Sequence, residues 1–276
     1  MIKTKKKTPT NKPPVKTGGI EDRIMAINDV PVELNMLVYG RSGTGKTTLI
    51  GSMPKPLLIL DIREKGTTSI RNTPGVYVLT INSWKEFEEA YWMLVENKRG
   101  FKSLAVDTIT QLQEYALESV RGSAEGLVSR KTWGEASSLM KTWIMLYRDL
   151  PMNVCFTAQD RKTKGQEDDE DYEDNSIMPE VGPYVMPSVA KIVNAAVDVI
   201  GMTYIREVTK TIKPKKAGDK PKEKKVNEYC LRVGPHPIFL TKFRSPIAEG
   251  EVSDIPPVIV NPKFDDLLEL SLQEDE

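Results

Sequence analysis

The residues Gly40 to Thr47, with the sequence GRSGTGKT, carry the clearest chemistry in this chain. They fit the pattern G-x-x-x-x-G-K-S/T at every fixed position. Glycines let such a loop turn its N–H groups toward phosphate oxygens, and a following helix adds the positive end of its dipole. We therefore predict a nucleoside triphosphate site formed by Gly40, Arg41, Ser42, Gly43, Thr44, Gly45, Lys46, Thr47 and Thr48.

Two side chains of this loop are expected to serve the phosphates and a metal ion. Lys46 would neutralise the β- and γ-phosphates, and the Thr47 hydroxyl would ligate Mg²⁺. Asp107 ends the apolar segment SLAVD and would hold a metal-bound water, although an acid can also simply end a strand. ATP is favoured over GTP because the chain has no N-K-x-D guanine motif; NK at 97–98 is followed by RG.

The segments around the loop predict an α/β fold. Apolar runs at 35–39, 57–61, 103–107 and 153–158 show no alternation, which is typical of parallel strands covered on both faces. Segment 76–81 is a further strand candidate. Helices are predicted over 46–53, from a capping box at Ser83 and Glu86, over 109–121 and over 133–150.

The pattern changes after residue 158. A polar loop is predicted over 159–179, a helix near 187–196, and antiparallel strands over 197–205, 227–233 and 238–243. A lysine-rich stretch, 208–226, would form the tip of a hairpin. This division gives a basic arm at 1–19, an ATPase domain at 20–247 and a tail with an acidic end at 248–276.

The composition excludes several classes of protein. Net charge is zero and charged residues are 28 %, as in ordinary globular proteins. There is no apolar run of membrane-spanning length, and the lysine-rich start precedes no apolar signal segment. A cytoplasmic protein without membrane contact is therefore expected. Two distant cysteines and one histidine favour buried thiols over disulfides or zinc.

Four segments together resemble the RecA-like ATPases, most closely the phage-encoded RecA-like single-strand annealing recombinases. They are GRSGTGKTT (40–48), LILDIRE (58–64), LAVDTITQL (104–112) and NVCFTAQDRK (153–162). The resemblance spans residues 33–245. It implies a RecA-like P-loop core, with a mostly parallel sheet flanked by helices and antiparallel strands in its C-terminal part.

The resemblance also implies roles for four further residues. Glu64 would activate the attacking water, although it stands one residue later than the family's D-x-E spacing, behind Arg63. Gln159 would sense the γ-phosphate. Lys242 and Arg244 would reach the nucleotide of a neighbouring subunit. The simpler alternatives are that Glu64 is a surface acid paired with Lys65 or Arg63, that Gln159 is a polar residue starting a loop, and that Lys242 and Arg244 belong to a solvated basic edge strand.

Single-stranded DNA is the expected partner. Backbone phosphates would meet six cations: Arg161, Lys162, Lys164, Lys213, Lys215 and Lys216. The acidic run 167–174 opposes such contact. The resemblance implies a ring or filament that promotes annealing or strand exchange in phage recombination, in contact with a single-strand-binding or other replication or recombination protein. The alternative is an ATP-controlled DNA-binding or assembly module, helicase-loader-like, with little turnover; a small-molecule kinase is less consistent because no lid-like arginine cluster appears.

Overall fold

The computed structural model describes residues 21, 24–30, 32–122, 128–163, 180–212, 222–245 and 255–272. The chain divides into two compact units, Met1–Glu33 and Leu34–Glu276. The described part of the first unit contains one turn of 3₁₀ helix, Ile27–Asp29. The basic arm predicted at 1–19 lies outside the described residues.

The second unit is built on a large mixed sheet. The described strands of the unit are β1 (Asn35–Tyr39), β2 (Leu57–Asp61), β3 (Val76–Thr80), β4 (Ser103–Asp107), β5 (Asn153–Ala158), β6 (Asp160–Thr163), β7 (Glu180–Pro183), β8 (Val199–Ile212), β9 (Lys222–Arg232), β10 (Lys242–Phe243) and β11 (Val258–Val260). The sheet order is β11-β9-β8-β1-β5-β4-β2-β3, with β10 beside β8, and β6 pairs separately with β7.

The direction of pairing confirms the predicted fold class. Strands β1 to β5 pair in parallel, and β8 continues the parallel part beside β1. Strands β9, β10 and β11 add antiparallel pairs at one side. Because parallel strands end at the same edge, the residues that follow β1, β2, β4 and β5 meet there.

Helices cover both faces of this sheet. They are α1 (Lys46–Ile50), α2 (Trp84–Glu96), α3 (Ile109–Arg121), α4 (Arg130–Arg148), α5 (Pro187–Ala196) and α6 (Phe264–Leu272). One core contains buried residues of α2 to α5, such as Phe87 and Trp143. The other contains Leu49 of α1 and Phe264 of α6. In the part of the chain that the structure describes, no helix is long and apolar enough to cross a bilayer.

Helix ends differ slightly from the predicted ones. The Ser83 hydroxyl accepts from the Glu86 N–H at 3.2 Å, as a capping box requires, but the Glu86 carboxylate accepts from Asn82 N rather than from Ser83 N. Helix α4 begins at Arg130 instead of 133 because Ser129 caps it through the Thr132 N–H. Helix α1 ends at Ile50 instead of 53.

Three predicted irregular segments are partly ordered. Strand β6 occupies the start of the 159–179 loop, and residues 164–179 lie outside the described residues. Strands β8 and β9 extend into the predicted hairpin tip, of which 213–221 are not described. The 248–276 segment is not merely a tail, because residues 255–272 contain β11 and α6, and the apolar faces of Phe264 and Leu267 are fully buried.

Candidate nucleotide-binding site

The phosphate loop joins the end of β1 to the start of α1. Its three glycines have positive φ angles of 150°, 79° and 96° at Gly40, Gly43 and Gly45. A Cβ atom on Gly40 would lie 2.4 Å from Thr203 Oγ1, so the loop packs directly against β8. The strand, loop and helix therefore follow the order that a phosphate-binding loop needs.

Lys46 lies inside the curve of this loop. Its ammonium group donates to the carbonyl oxygens of Gly40 and Arg41 at 2.7 and 2.9 Å. Burial lowers the pKa of Lys46, and the nearby carboxylates of Asp107 and Glu64 oppose that shift. A buried cation in a loop of N–H donors is suited to binding a polyphosphate.

Thr203 fixes the outer side of the loop and was not identified from the sequence. Its hydroxyl donates to Tyr39 O at 3.2 Å and lies 2.7 Å from the Thr44 hydroxyl. Thr44 also donates to Arg41 O at 2.7 Å. The one sequence signal for Thr203 is a hydroxyl residue within the apolar run VIGMTYI, and its role depends on β8 lying beside β1.

Asp107 lies at the carboxyl end of β4, at the same edge of the sheet as the loop. It is buried, and its Oδ1 accepts a hydrogen bond from the Thr157 hydroxyl at 2.5 Å. Burial raises the pKa of Asp107, while the Thr157 hydrogen bond and the Lys46 ammonium lower it. Thr157 was also absent from the sequence prediction.

The position of Asp107 relative to Thr47 fits a magnesium ion. A Cβ atom built on Gly66 would lie 3.5 Å from Thr47 Oγ1 and 4.0 Å from Asp107 Oδ2, so both oxygens lie close to the same point. Hydroxyl and carboxylate oxygens, with phosphate oxygens and water, are the ligands that Mg²⁺ takes.

The local backbone brings Glu64 to the site despite its altered spacing. Ile62 is buried, and Arg63 has a left-handed φ of 64°. The Arg63 guanidinium turns away, 3.1 Å from the Glu118 carboxylate and 4.3 Å from the centre of the Tyr115 ring. The additional residue is therefore accommodated outside the site, and Arg63 pairs with Glu118 rather than with Glu64.

Gln159 connects Glu64 to the segment that follows β5. Its side-chain amide donates to Glu64 Oε1 at 3.0 Å, and its backbone N–H donates to the Thr110 hydroxyl at 2.9 Å. Its carbonyl accepts from Tyr184 N at 2.6 Å, just after β7. A change at Glu64 is thus one hydrogen bond away from the β6–β7 pair.

A cavity of about 810 Å³ is lined by Lys46, Thr47, Glu64 and Asp107. This is within the volume range of ligand-binding clefts. Its walls comprise the loop from Ser42 onward, Glu64, Asp107 and three groups that the sequence did not suggest: residues 66–73, Tyr229 with Cys230, and residues 261–263.

Lys242 and Arg244 lie away from this cavity, at the C-terminal end of α5. The Lys242 ammonium donates at 2.6 to 3.3 Å to backbone carbonyls of Asn194, Ala195 and Val197. Arg244 donates to Ala195 O and pairs with Asp198 at 3.0 Å. Lys242 is in the short strand β10, Arg244 follows that strand directly, and both side chains reach the Ala195 carbonyl, so they lie on one side of the chain. Their action on a neighbouring subunit stays a prediction.

The predicted DNA contacts are only partly described. Arg161 and Lys162 are exposed on β6, and the Arg161 guanidinium lies 5.6 Å from the centre of the Tyr184 ring. Lys164, Lys213, Lys215 and Lys216 lie outside the described residues.

Comparisons with solved structures gave distant similarities. The chain is 16 % identical to an ATPase from the type III secretion system of pathogenic bacteria, with a TM-score of 0.37 over 62 % of this chain and 52 % of that one. It is 8 % identical to the flagellar accessory protein FlaH from Methanocaldococcus jannaschii, with a TM-score of 0.34 over 72 % and 76 %. The chain thus spans about half of the secretion ATPase.

Comparison with families is more specific. No curated protein matches the chain significantly. A family model described as an AAA domain matches residues 33–245, which include the phosphate loop, Glu64, Asp107 and Gln159. Because this match covers more than half of the chain, the protein belongs to this family of P-loop ATPase domains.

Proposed function

We propose that this chain hydrolyses ATP with Mg²⁺ and couples the reaction to single-stranded DNA. The observation that carries the proposal is the 3.0 Å hydrogen bond between Glu64 and Gln159. This bond links Glu64, which lines the cavity, to Gln159, which directly precedes β6. Strand β6 carries the exposed cations Arg161 and Lys162.

Hydrolysis requires that a water oxygen attack the γ-phosphorus while the bridging oxygen leaves with ADP. Glu64 is suited to orient this water and accept its proton, since it lines the cavity near Lys46. Lys46 and the loop N–H groups would stabilise charge on the transferred phosphoryl oxygens. Mg²⁺, held through Thr47 and Asp107, would neutralise charge on the β- and γ-phosphates.

Coupling would follow from competition for Gln159. Its amide either donates to Glu64, as here, or to a γ-phosphate oxygen of bound ATP. The Gln159 carbonyl also accepts a hydrogen bond from Tyr184 N. A shift of Gln159 would therefore move the start of β6 and the end of β7 together.

The cations of β6 are better candidates for DNA contact than Lys210 and Lys225 of the β8–β9 hairpin. Lys210 pairs with Glu228 at 2.9 Å, and Lys225 pairs with Glu207 at 2.7 Å, each across the two strands. Arg161 and Lys162 are both exposed. Such cations would contact the phosphates of DNA and not its bases. The affinity for DNA should therefore not depend on base sequence and should fall as the salt concentration rises.

The finer biological role rests on the resemblance to phage annealing recombinases. On this basis the ATPase would assemble into a ring or filament on single strands and promote annealing or strand exchange. One observation favours the alternative, an assembly or loader-like module with little turnover. The Lys242 ammonium already makes three hydrogen bonds within its own chain, so it would have to leave them before acting on a neighbour.

The test is ATP hydrolysis with and without single-stranded DNA. We expect DNA to stimulate the wild-type chain, and an Arg161→Ala/Lys162→Ala variant to keep the basal rate but lose most of the stimulation. The matched control is Lys85→Ala/Lys131→Ala, which removes two exposed lysines from α2 and α4. Tight ATP binding without stimulation would support the low-turnover module instead, and equal stimulation of both double variants would exclude the β6 contact.

A further inference from the structure

We propose that the nucleoside of ATP is held by a wall formed by Tyr229 and residues 261–263, with the adenine beside the Tyr229 ring and the Asn261 amide. The inference rests on the proposed ATPase function and names the residues that recognise its substrate. Residues 261–263 lie beyond the family match, which ends at 245. Tyr229 lies within the matched region, so the wall would combine one residue of the matched domain with a segment that follows it.

The cavity is not confined to the phosphate loop, because residues that follow α1 also line it. Thr48 of α1 and Ser52, two residues after the end of α1, both line it. Asn261, Pro262 and Lys263 line it as well, and the next residue, Phe264, contacts Ser52. A triphosphate fixed at the start of α1 leaves its sugar and base to occupy this distal part.

The wall is tied to the loop helix and to the sheet. Strand β11 pairs with β9 through Val260 and Cys230, and Asn261 N then donates to Tyr229 O at 2.6 Å. Three residues later, the N–H of the fully buried Phe264 donates to the Ser52 hydroxyl at 2.8 Å. These contacts hold residues 261–263 at a fixed place relative to the end of α1.

The side chains of the wall match an adenine base. Tyr229 is 43 % exposed, and its ring flanks the loop, since a Cβ atom on Gly45 would lie 3.2 Å from the ring Cδ1. An exposed aromatic face beside a cavity can stack on a base. The Asn261 side chain has a donor and an acceptor, the pair that the edge of adenine complements. Its left-handed φ of 51° is one that asparagine tolerates well.

The test compares ATP with inorganic tripolyphosphate, which shares the phosphate anchor but has no nucleoside. We expect Tyr229→Ala and Asn261→Gly each to weaken Mg-ATP binding about tenfold in calorimetry while leaving Mg-tripolyphosphate affinity within about twofold. Glycine at 261 keeps the left-handed backbone. Tyr77→Ala, at the far edge strand β3 and 47 % exposed, is the matched control and should change neither affinity.

Several outcomes would overturn the proposal. Unchanged ATP affinity in both folded variants would exclude the wall, and an equal loss for both ligands would mean that it acts through the phosphate loop. If the wild-type chain bound neither ligand, the proposed ATPase function would fail as well. Circular dichroism of each variant separates these results from misfolding.

Discussion

The two ends of the nucleotide cavity are made in different ways. At the phosphate end, consecutive residues from Gly40 to Thr48 supply backbone N–H groups and one buried lysine. At the distal end, side chains arrive from β9 and from residues 261–263, more than 180 positions away in the chain. A site made by local backbone geometry is visible as a motif, whereas a site assembled by side chains from distant strands depends on topology.

Removing the cation of the phosphate end should have the largest effect. Lys46→Ala should weaken binding of ATP and of tripolyphosphate alike by about 100-fold, because a charged hydrogen bond to phosphate is worth ~3 kcal/mol. Calorimetry with both ligands measures the loss. Lys85→Ala, an exposed lysine on α2, is the control. If the variant bound both ligands within threefold of the wild-type affinity, the phosphate end could not be the common anchor of ATP and tripolyphosphate.

A change at Glu64 should separate binding from chemistry at the same end. Glu64→Gln keeps a side-chain oxygen that can accept from Gln159 but removes the base, so the rate of phosphate release should fall roughly 100-fold or more. ATP affinity should stay within a fewfold of the wild type. Turnover near the wild-type rate would assign the water to another group.

The glycines of the loop test how tightly the phosphate end is packed. Gly40→Ala should lower the free energy of unfolding by ~3 kcal/mol, because the added methyl overlaps Thr203 in addition to the positive φ. Gly43→Ala meets nothing within 4 Å and should lose only the ~1 kcal/mol of left-handed strain. Urea unfolding measures both. Equal losses would contradict the close approach of Gly40 to β8.

The smallest effect is expected at the join between the two ends. Ser52→Ala removes the acceptor for Phe264 N and should cost ~1 kcal/mol in urea unfolding. If the distal wall binds the nucleoside, ATP affinity should fall a fewfold while tripolyphosphate affinity does not change. A loss of affinity for both ligands would show that the join supports the phosphate loop instead.

The sequence predicted the parts of the fold that have local signals. The apolar runs of β1, β2, β4 and β5 and the loop of Gly40 follow from periodicity and residue type alone. Asp107 could be proposed because it ends such a run, and the structure places it beside Thr47.

Other contacts had no local signal. Thr203 and Thr157 act through strands that neighbour β1 and β4, and a single sequence does not give the strand order. The acidic residues near the C-terminus obscured the apolar face of α6, which Phe264 and Leu267 bury. The sequence suggested Lys242 for action across subunits. In the structure its ammonium donates to carbonyls at the end of α5, and only the packing of β10 brings these groups together.

Titration calorimetry of the folded wild-type chain with ATP in the presence of Mg²⁺ tests the central claim most directly. The account predicts saturable heat with one ATP bound per chain, and its loss in Lys46→Ala. The absence of heat from ATP in a chain whose circular dichroism shows it to be folded would contradict the account.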